Sequence, residues 1–108
     1  MGKVYKPLFQ RAPAAATLTD AYTLAAGTSA VVSSLTACNR GASSDTIRIS
    51  VAVAGEADAA KQYIYYDLPV IAKDTFKSIA ITLGATDVVR VWSNSGNTVF
   101  SAFGCEVS

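Results

Sequence analysis

The sequence contains no histidine. That removes the commonest general base, every Ser–His or Cys–His pair, and every metal site with an imidazole ligand. Only two cysteines are present, Cys38 and Cys105, too few for a four-thiolate zinc site. Charge is sparse: 16% of residues are Asp, Glu, Lys or Arg, against ~25% in an ordinary domain. The net charge of +1 supplies neither the basic footprint of a nucleic-acid-binding domain nor an acidic shell. Apolar runs such as Val70–Ala72 and Ile79–Ile81 are far shorter than the ~20 residues of a membrane-spanning helix. No apolar stretch of signal-peptide length follows the opening MGKVYKPLFQ. Tyr5-Lys6-Pro7 also lacks the hydroxyl residue of a myristoylation site. Neither a membrane nor a nucleic-acid partner is expected.

Other routes to chemistry are equally thin. Most of the acidic residues, among them Asp20, Asp45, Glu56, Asp58, Asp74 and Asp87, fall in turns. There a carboxylate has a structural task, accepting hydrogen bonds from nearby backbone amides. The seven glycines are scattered, so no glycine-rich phosphate loop is formed. No Asp-rich loop has calcium-binding spacing. The expectation is a protein that is not an enzyme, with no catalytic residues, no metal ligands and no cofactor.

What the sequence does contain is β-sheet pattern. The 108 residues fit one domain, and a hydrophobic fraction of 51% excludes a disordered chain. Residues 1–18 stand apart. Lys3, Lys6 and Arg11 alternate with Val4, Tyr5, Leu8 and Phe9, and a small-residue hinge follows at Ala12-Pro13-Ala14-Ala15-Ala16. Pro7 and Pro13 cannot donate a ladder hydrogen bond, which places the segment at a sheet edge or in an extended arm. We read an extended arm and hinge over 1–18, with Val4, Tyr5, Leu8, Phe9 and Arg11 as the inter-subunit contacts. An arm of that kind adds a strand to a neighbour's sheet, and deleting residues 1–13 is then expected to leave the domain folded.

Over 19–108, period-two alternation predicts strands at Ala21–Leu24, Ser29–Asn39, Thr46–Ala54, Gln62–Leu68, Thr75–Leu83, Asp87–Ser93 and Val99–Val107. The clearest is Thr46–Ala54, with Ile47, Ile49, Val51 and Val53 on one face. Asn94-Ser95-Gly96-Asn97 is a hairpin turn, since Asn and Gly accept positive φ. Gly55–Lys61 reads as a loop with one helical turn. No segment sustains a 3.6-residue period. Seven or eight short antiparallel strands predict a single all-β sandwich, jelly-roll-like or immunoglobulin-like, with a small closed barrel as the alternative.

Two sets of side chains are candidate contacts. Cys105 shares a predicted face with Val99 and Phe103 and is expected in the core. Cys38 shares its face with Ser34 and Thr36 and is expected at the surface or an interface. The thiols are free or bridged, within the chain or between chains. Tyr63, Tyr65, Tyr66 and Trp92 are candidates for stacking on a sugar, with Tyr63, Tyr65 and Trp92 as the expected exposed contacts, and Tyr63 and Tyr65 are expected on the same strand face. Tyr66 and Trp92 also fit a core or sheet-face role, since aromatics favour strands. The small, weakly polar faces Thr46/Arg48/Ser50 and Val32/Ser34/Thr36 suit packing against protein.

The segment from Asp20 to Val107 resembles small virion proteins of tailed bacteriophages. The resemblance is carried by Ala21–Leu35, Cys38-Asn39-Arg40, Tyr65-Tyr66-Asp67-Leu68-Pro69, Lys73-Asp74-Thr75 and Leu83–Val91. It implies a β-sandwich accessory protein of the head, neck or tail: a decoration or cement protein on a capsid, a collar part or a tail part. Its expected partners are further copies of itself and a larger virion protein, and its expected location is the virion, after synthesis in the host cytoplasm. The resemblance carries no catalytic residue with it. The alternative expectation is a carbohydrate- or receptor-binding β-sandwich module.

Overall fold

Alternation of apolar and small polar residues builds this chain almost entirely from strands. The computed structural model describes residues 2–108. The strands are β1 (Lys3–Arg11), β2 (Thr19–Thr23), β3 (Ser29–Asn39), β4 (Asp45–Ala52), β5 (Tyr63–Val70), β6 (Thr75–Lys77), β7 (Ile81–Leu83), β8 (Val88–Ser93) and β9 (Thr98–Val107). Two antiparallel sheets face each other as a sandwich. One has five strands in the order β1-β9-β3-β6, with β7 also on β3; the other has four, in the order β2-β8-β4-β5. The predicted helical turn in the loop after β4 is two short 3-10 turns, Val53–Gly55 and Ala60–Gln62.

The core lies between the sheets. The five-stranded sheet contributes Val32, Leu35, Ala37, Ile81, Leu83, Phe100 and Ala102, and the four-stranded sheet contributes Ala21, Ile47, Ile49, Val89 and Val91. Each large apolar side chain buried here stabilises the fold by roughly 1.5–3 kcal/mol. Val53, expected to continue the inward face of β4, is exposed, because β4 ends at Ala52 and the chain enters the first 3-10 turn.

The separate arm is corrected to a strand of the same sandwich. Lys3–Arg11 pairs with β9 from Lys3↔Val107 to Arg11↔Phe100, and Leu8 and Phe9 are buried in the core. Of the two placements the prolines permit, the sheet edge is the observed one. The backbone groups on one side of the segment are engaged on β9, and only its outer side remains an open sheet edge. The hinge is fixed as well: Ala15 bridges Ser93, and the Ala16 amide donates to the Ser93 carbonyl at 2.8 Å.

Bulges then decide which side chains face inward. Leu8 on β1 and Ser33 on β3 are extra residues that flank one point on β9, between Ala102 and Gly104. An extra residue reverses the alternation beyond it. Val32 is therefore inward while Ser34 and Thr36 face out, so the proposed face Val32/Ser34/Thr36 does not exist. Gly104 sits at this crease, where an added Cβ would lie 1.9 Å from the Val31 carbonyl oxygen. The strand predicted over Thr75–Leu83 is likewise broken into β6 and β7. Phe76 and Ile81 both turn inward, and Ile79 between the two strands is exposed.

Polar clamps hold the sheets together at both ends. At one end the buried Asp45 carboxylate accepts from the Ser93 hydroxyl (2.5 Å), the Thr98 hydroxyl (2.5 Å) and the Ser95 and Thr46 amides (both 2.9 Å). This ties β4 to the β8–β9 hairpin. At the other end Tyr22 of β2 donates its phenol to Glu106 of β9, which also pairs with Lys6 of β1 at 3.0 Å. Buried Asn39 links the β3–β4 and β5–β6 connections, donating to the carbonyls of Ser43 (2.9 Å) and Val70 (3.0 Å) and accepting from the Gly41 amide.

Candidate functional site

Two outer faces carry the candidate residues, one on each sheet. On the five-stranded sheet, β9 turns its more apolar side outward. Phe100 and Ala102 fill the core, so Val99, Phe103, Cys105 and Val107 lie on the opposite side of the strand. The expectation that Cys105 faces the core is therefore corrected. Counting apolar residues favoured the odd-numbered face, but Thr98 belongs to the buried Asp45 clamp and fixes the even-numbered face inward.

Cross-strand pairing extends that outward surface. Tyr5 of β1 lies opposite Cys105, Pro7 opposite Phe103, and Val31 of β3 on the other flank of Cys105. Tyr5 is 77% exposed and Phe103 40%. Tyr5, Val31, Ser33, Gly104 and Cys105 line a shallow hollow of about 130 Å³. Val4, at the outer edge of β1, is also exposed. Of the five residues read as an inter-subunit arm, Tyr5 belongs to this surface, Val4 borders it, and Leu8 and Phe9 are core. Arg11 turns toward β2, its Nε donating to the Asp20 carbonyl at 3.4 Å.

Cys38 is half-buried, on the outward side of β3 with Ser34 and Thr36. Both thiols are free. Cys38 lies opposite Val99 and Cys105 lies six residues further along β9. At about 3.3 Å per residue this separates them by ~20 Å, beyond the Cα separation of up to ~7 Å that a disulfide spans. A bridge within the chain is excluded in this fold.

The outer face of the four-stranded sheet is built differently. Arg48 projects from β4, opposite Trp92 of β8. Its guanidinium lies 4.2 Å from the centroid of the Tyr66 ring and 4.0 Å from that of Trp92, and its Nε donates to Asp67 at 2.7 Å. The charge is thus held by two aromatic faces and one carboxylate. Beside it, Tyr63 and Tyr66 meet edge to face with centroids 5.0 Å apart. Arg48, Tyr63 and Tyr66, with Asp58, Ala59 and Ala60 of the preceding loop, line a cleft of about 590 Å³. The Tyr63 phenol is pushed above its usual pKa, first by burial and then by its contact with Asp58.

The three candidate aromatics are divided by bulges in β5. Opposite β4, Tyr63 lies across from Ser50, Tyr65 from Ile49 and Leu68 from Ile47, so the strand carries extra residues in both intervals. Asp67 takes a φ of 54° in the second interval. Tyr63 and Tyr66 consequently share the cleft, and Trp92 joins them through Arg48. Tyr65, expected beside Tyr63, instead turns inward. It packs on Phe76 at 4.9 Å, and its hydroxyl accepts from the Ile79 amide at 3.1 Å. Tyr66 is exposed and is not a core residue. Ser50 is not part of an open contact face either: it is fully buried beside Tyr63 and Arg90. From sequence, Arg48 is read only as part of a packing face and Asp58 only as a turn residue, so neither is joined to the aromatics. The signal available there was the run of three tyrosines over Tyr63–Tyr66, but pairing it with Arg48 requires the register of β4 against β5.

Arg90 completes this face, with its Nε donating to Asp20 at 2.9 Å. Among the described residues no group of three or more Cys, Asp or Glu side chains is arranged to hold a metal ion. No protein-family model matches the sequence, and no curated protein matches it.

Proposed function

We propose that this chain is a structural subunit of a tailed-bacteriophage virion, acting through association with copies of itself and docking on a larger virion protein. The observation that carries this reading is the outward apolar side of β9. It places Tyr5, Val31, Phe103 and Cys105 side by side on a sheet face where alternation would ordinarily set polar residues. Contiguous exposed apolar surface of this kind marks interaction sites. The five-stranded sheet is the docking face, and its occupant is a second copy of the chain. The sparse charge of the whole sequence supports this, because surface covered by neighbours needs few solvating side chains. The contact is face to face rather than edge to edge. Pro7 and the bulge at Leu8 interrupt β1 as a template for strand addition.

The test is the oligomeric state of the purified chain by sedimentation equilibrium, paired with incorporation into particles. Phe103→Asp and Tyr5→Asp are expected to shift an oligomer to monomer and to remove the protein from particles, with the melting temperature little changed. A wild-type chain that is monomeric at every concentration and is missing from particles overturns the reading. So does normal incorporation of both variants.

A further inference from the structure

We infer that the cleft between β5 and the 56–62 loop is a binding site for a neutral saccharide. The cleft lies on the four-stranded sheet, on the opposite side of the sandwich from the proposed assembly face.

The argument begins with volume and lining. A space of about 590 Å³ falls in the range of small-molecule sites. Its walls combine aromatic rings, which offer an apolar platform, with charged groups able to donate and accept hydrogen bonds. Tyr66 is 60% exposed, so much of its ring is open even though Arg48 stacks on it. A pyranose presents an apolar C–H face and a rim of hydroxyls, and this lining matches both features.

The charges select against ionic ligands. An anion drawn to Arg48 meets the carboxylates of Asp58 in the cleft wall and Asp67 on the guanidinium. A cation drawn to Asp58 meets Arg48. A neutral polyol suffers neither repulsion, and its hydroxyls donate to a carboxylate and accept from a guanidinium. Of the guanidinium nitrogens only Nε has an acceptor among the described residues; the other two carry donors free to point at a ligand. Those donors are also preorganised, because Tyr66, Trp92 and Asp67 fix the plane of the group before any ligand arrives.

The experiment uses the full chain and a panel of neutral hexose and N-acetylhexosamine oligosaccharides, with sialylated and phosphorylated glycans as the charged arm. Trp92 is the only tryptophan and stacks on Arg48, so its fluorescence reports on the cleft. At least one neutral oligosaccharide is expected to shift that emission with a Kd of about 1 mM or tighter. Tyr66→Ala and Arg48→Met are each expected to weaken binding at least about tenfold, a loss near 1.4 kcal/mol. Gln10→Ala, at an exposed position of β1 on the opposite sheet, should leave the affinity unchanged. Should Arg48→Met fail to fold, Asp58→Asn on the exposed loop supplies the second variant. No response to any neutral saccharide overturns the proposal, as does tighter binding of the charged glycans.

Discussion

The two outer faces of this sandwich solve the same problem in opposite ways. On the four-stranded sheet every cation is matched. Arg48 has Asp67 and two rings, and Arg90 has Asp20. On the five-stranded sheet the outward side of β9 is largely apolar, and the described residues leave Tyr5 and Phe103 exposed. A face whose charges are paired within the chain has little drive to associate and offers a shaped cleft. A face with uncovered apolar rings gains from association. Burying apolar surface is worth roughly 25 cal/mol per Å², so the second face has the stronger drive toward other protein.

The largest expected effect breaks the comparison at its root, because the apolar face exists only while β1 is docked. Deleting residues 1–13 removes Leu8 and Phe9 from the core and strips the ladder from one side of β9. The truncated chain is expected to lose its cooperative thermal transition altogether, as read by far-UV circular dichroism. The milder Phe9→Ala should cost about 3–5 kcal/mol, measurable by urea denaturation. If the truncated chain melts cooperatively near the wild-type temperature, β1 is an accessory arm after all and the edge-strand account fails.

Loss of the Asp45 clamp ranks next, since it joins the two sheets without belonging to either outer face. Burial alone would raise the Asp45 pKa, but the hydrogen bonds from Ser93, Thr98 and Ser95 outweigh it and hold the carboxyl below its usual range. Glu106 is lowered too, first by Tyr22 and then by Lys6. A carboxyl lowered in the folded state stabilises fully above its unfolded pKa, about 3.9 for Asp and 4.3 for Glu. That contribution is lost as pH falls through the folded value. Both clamps therefore weaken together below about pH 4. Asp45→Ala should cost about 2–4 kcal/mol at neutral pH, because it strands buried donors, and Asp45→Asn should flatten the acid limb of the stability profile. An unchanged acid limb in Asp45→Asn would show that the clamp is not what acid breaks. Tyr22 acts at the other extreme. Its pKa is raised, first by burial and then by Glu106, so its contribution is present below about pH 10 and is lost at higher pH.

Much of this architecture was legible in the sequence, and the exceptions share one cause. Ser29–Asn39 is a strand with the predicted bounds, Ile47 and Ile49 face the core, and Asn94–Asn97 turns the chain as its residue types require. Period-two reasoning assumes an uninterrupted pleat. It fails at Ser33, in β5 and between β6 and β7, where extra or unpaired residues reverse the alternation. β9 is a different failure. Its pleat is regular, but its more apolar side faces out, because Thr98 is claimed by the Asp45 clamp. The cleft was less visible than the fold. Tyr63 and Trp92 were apparent as aromatics, whereas their link through Arg48 and Tyr66 depends on bulges that leave no composition signal.

The smallest expected effect concerns the two thiols, and it sharpens the contrast between the faces because both lie on the five-stranded sheet. Each is half-buried, and their ~20 Å separation along the strands leaves no route to an internal bridge. Cys38→Ser and Cys105→Ser, singly or together, should change the unfolding free energy by no more than about 0.5 kcal/mol, as read by urea denaturation. Mild oxidation should produce no fast-migrating intramolecular species on a non-reducing gel. Cys105 lines the hollow beside Tyr5 and Val31, so the mutual docking of two copies through this face sets how near two Cys105 thiols approach. A covalent dimer formed by the wild type and lost in Cys105→Ser would locate the contact at the apolar end of β9. A dimer lost only in Cys38→Ser would move the contact to the polar end of the same sheet and away from Phe103.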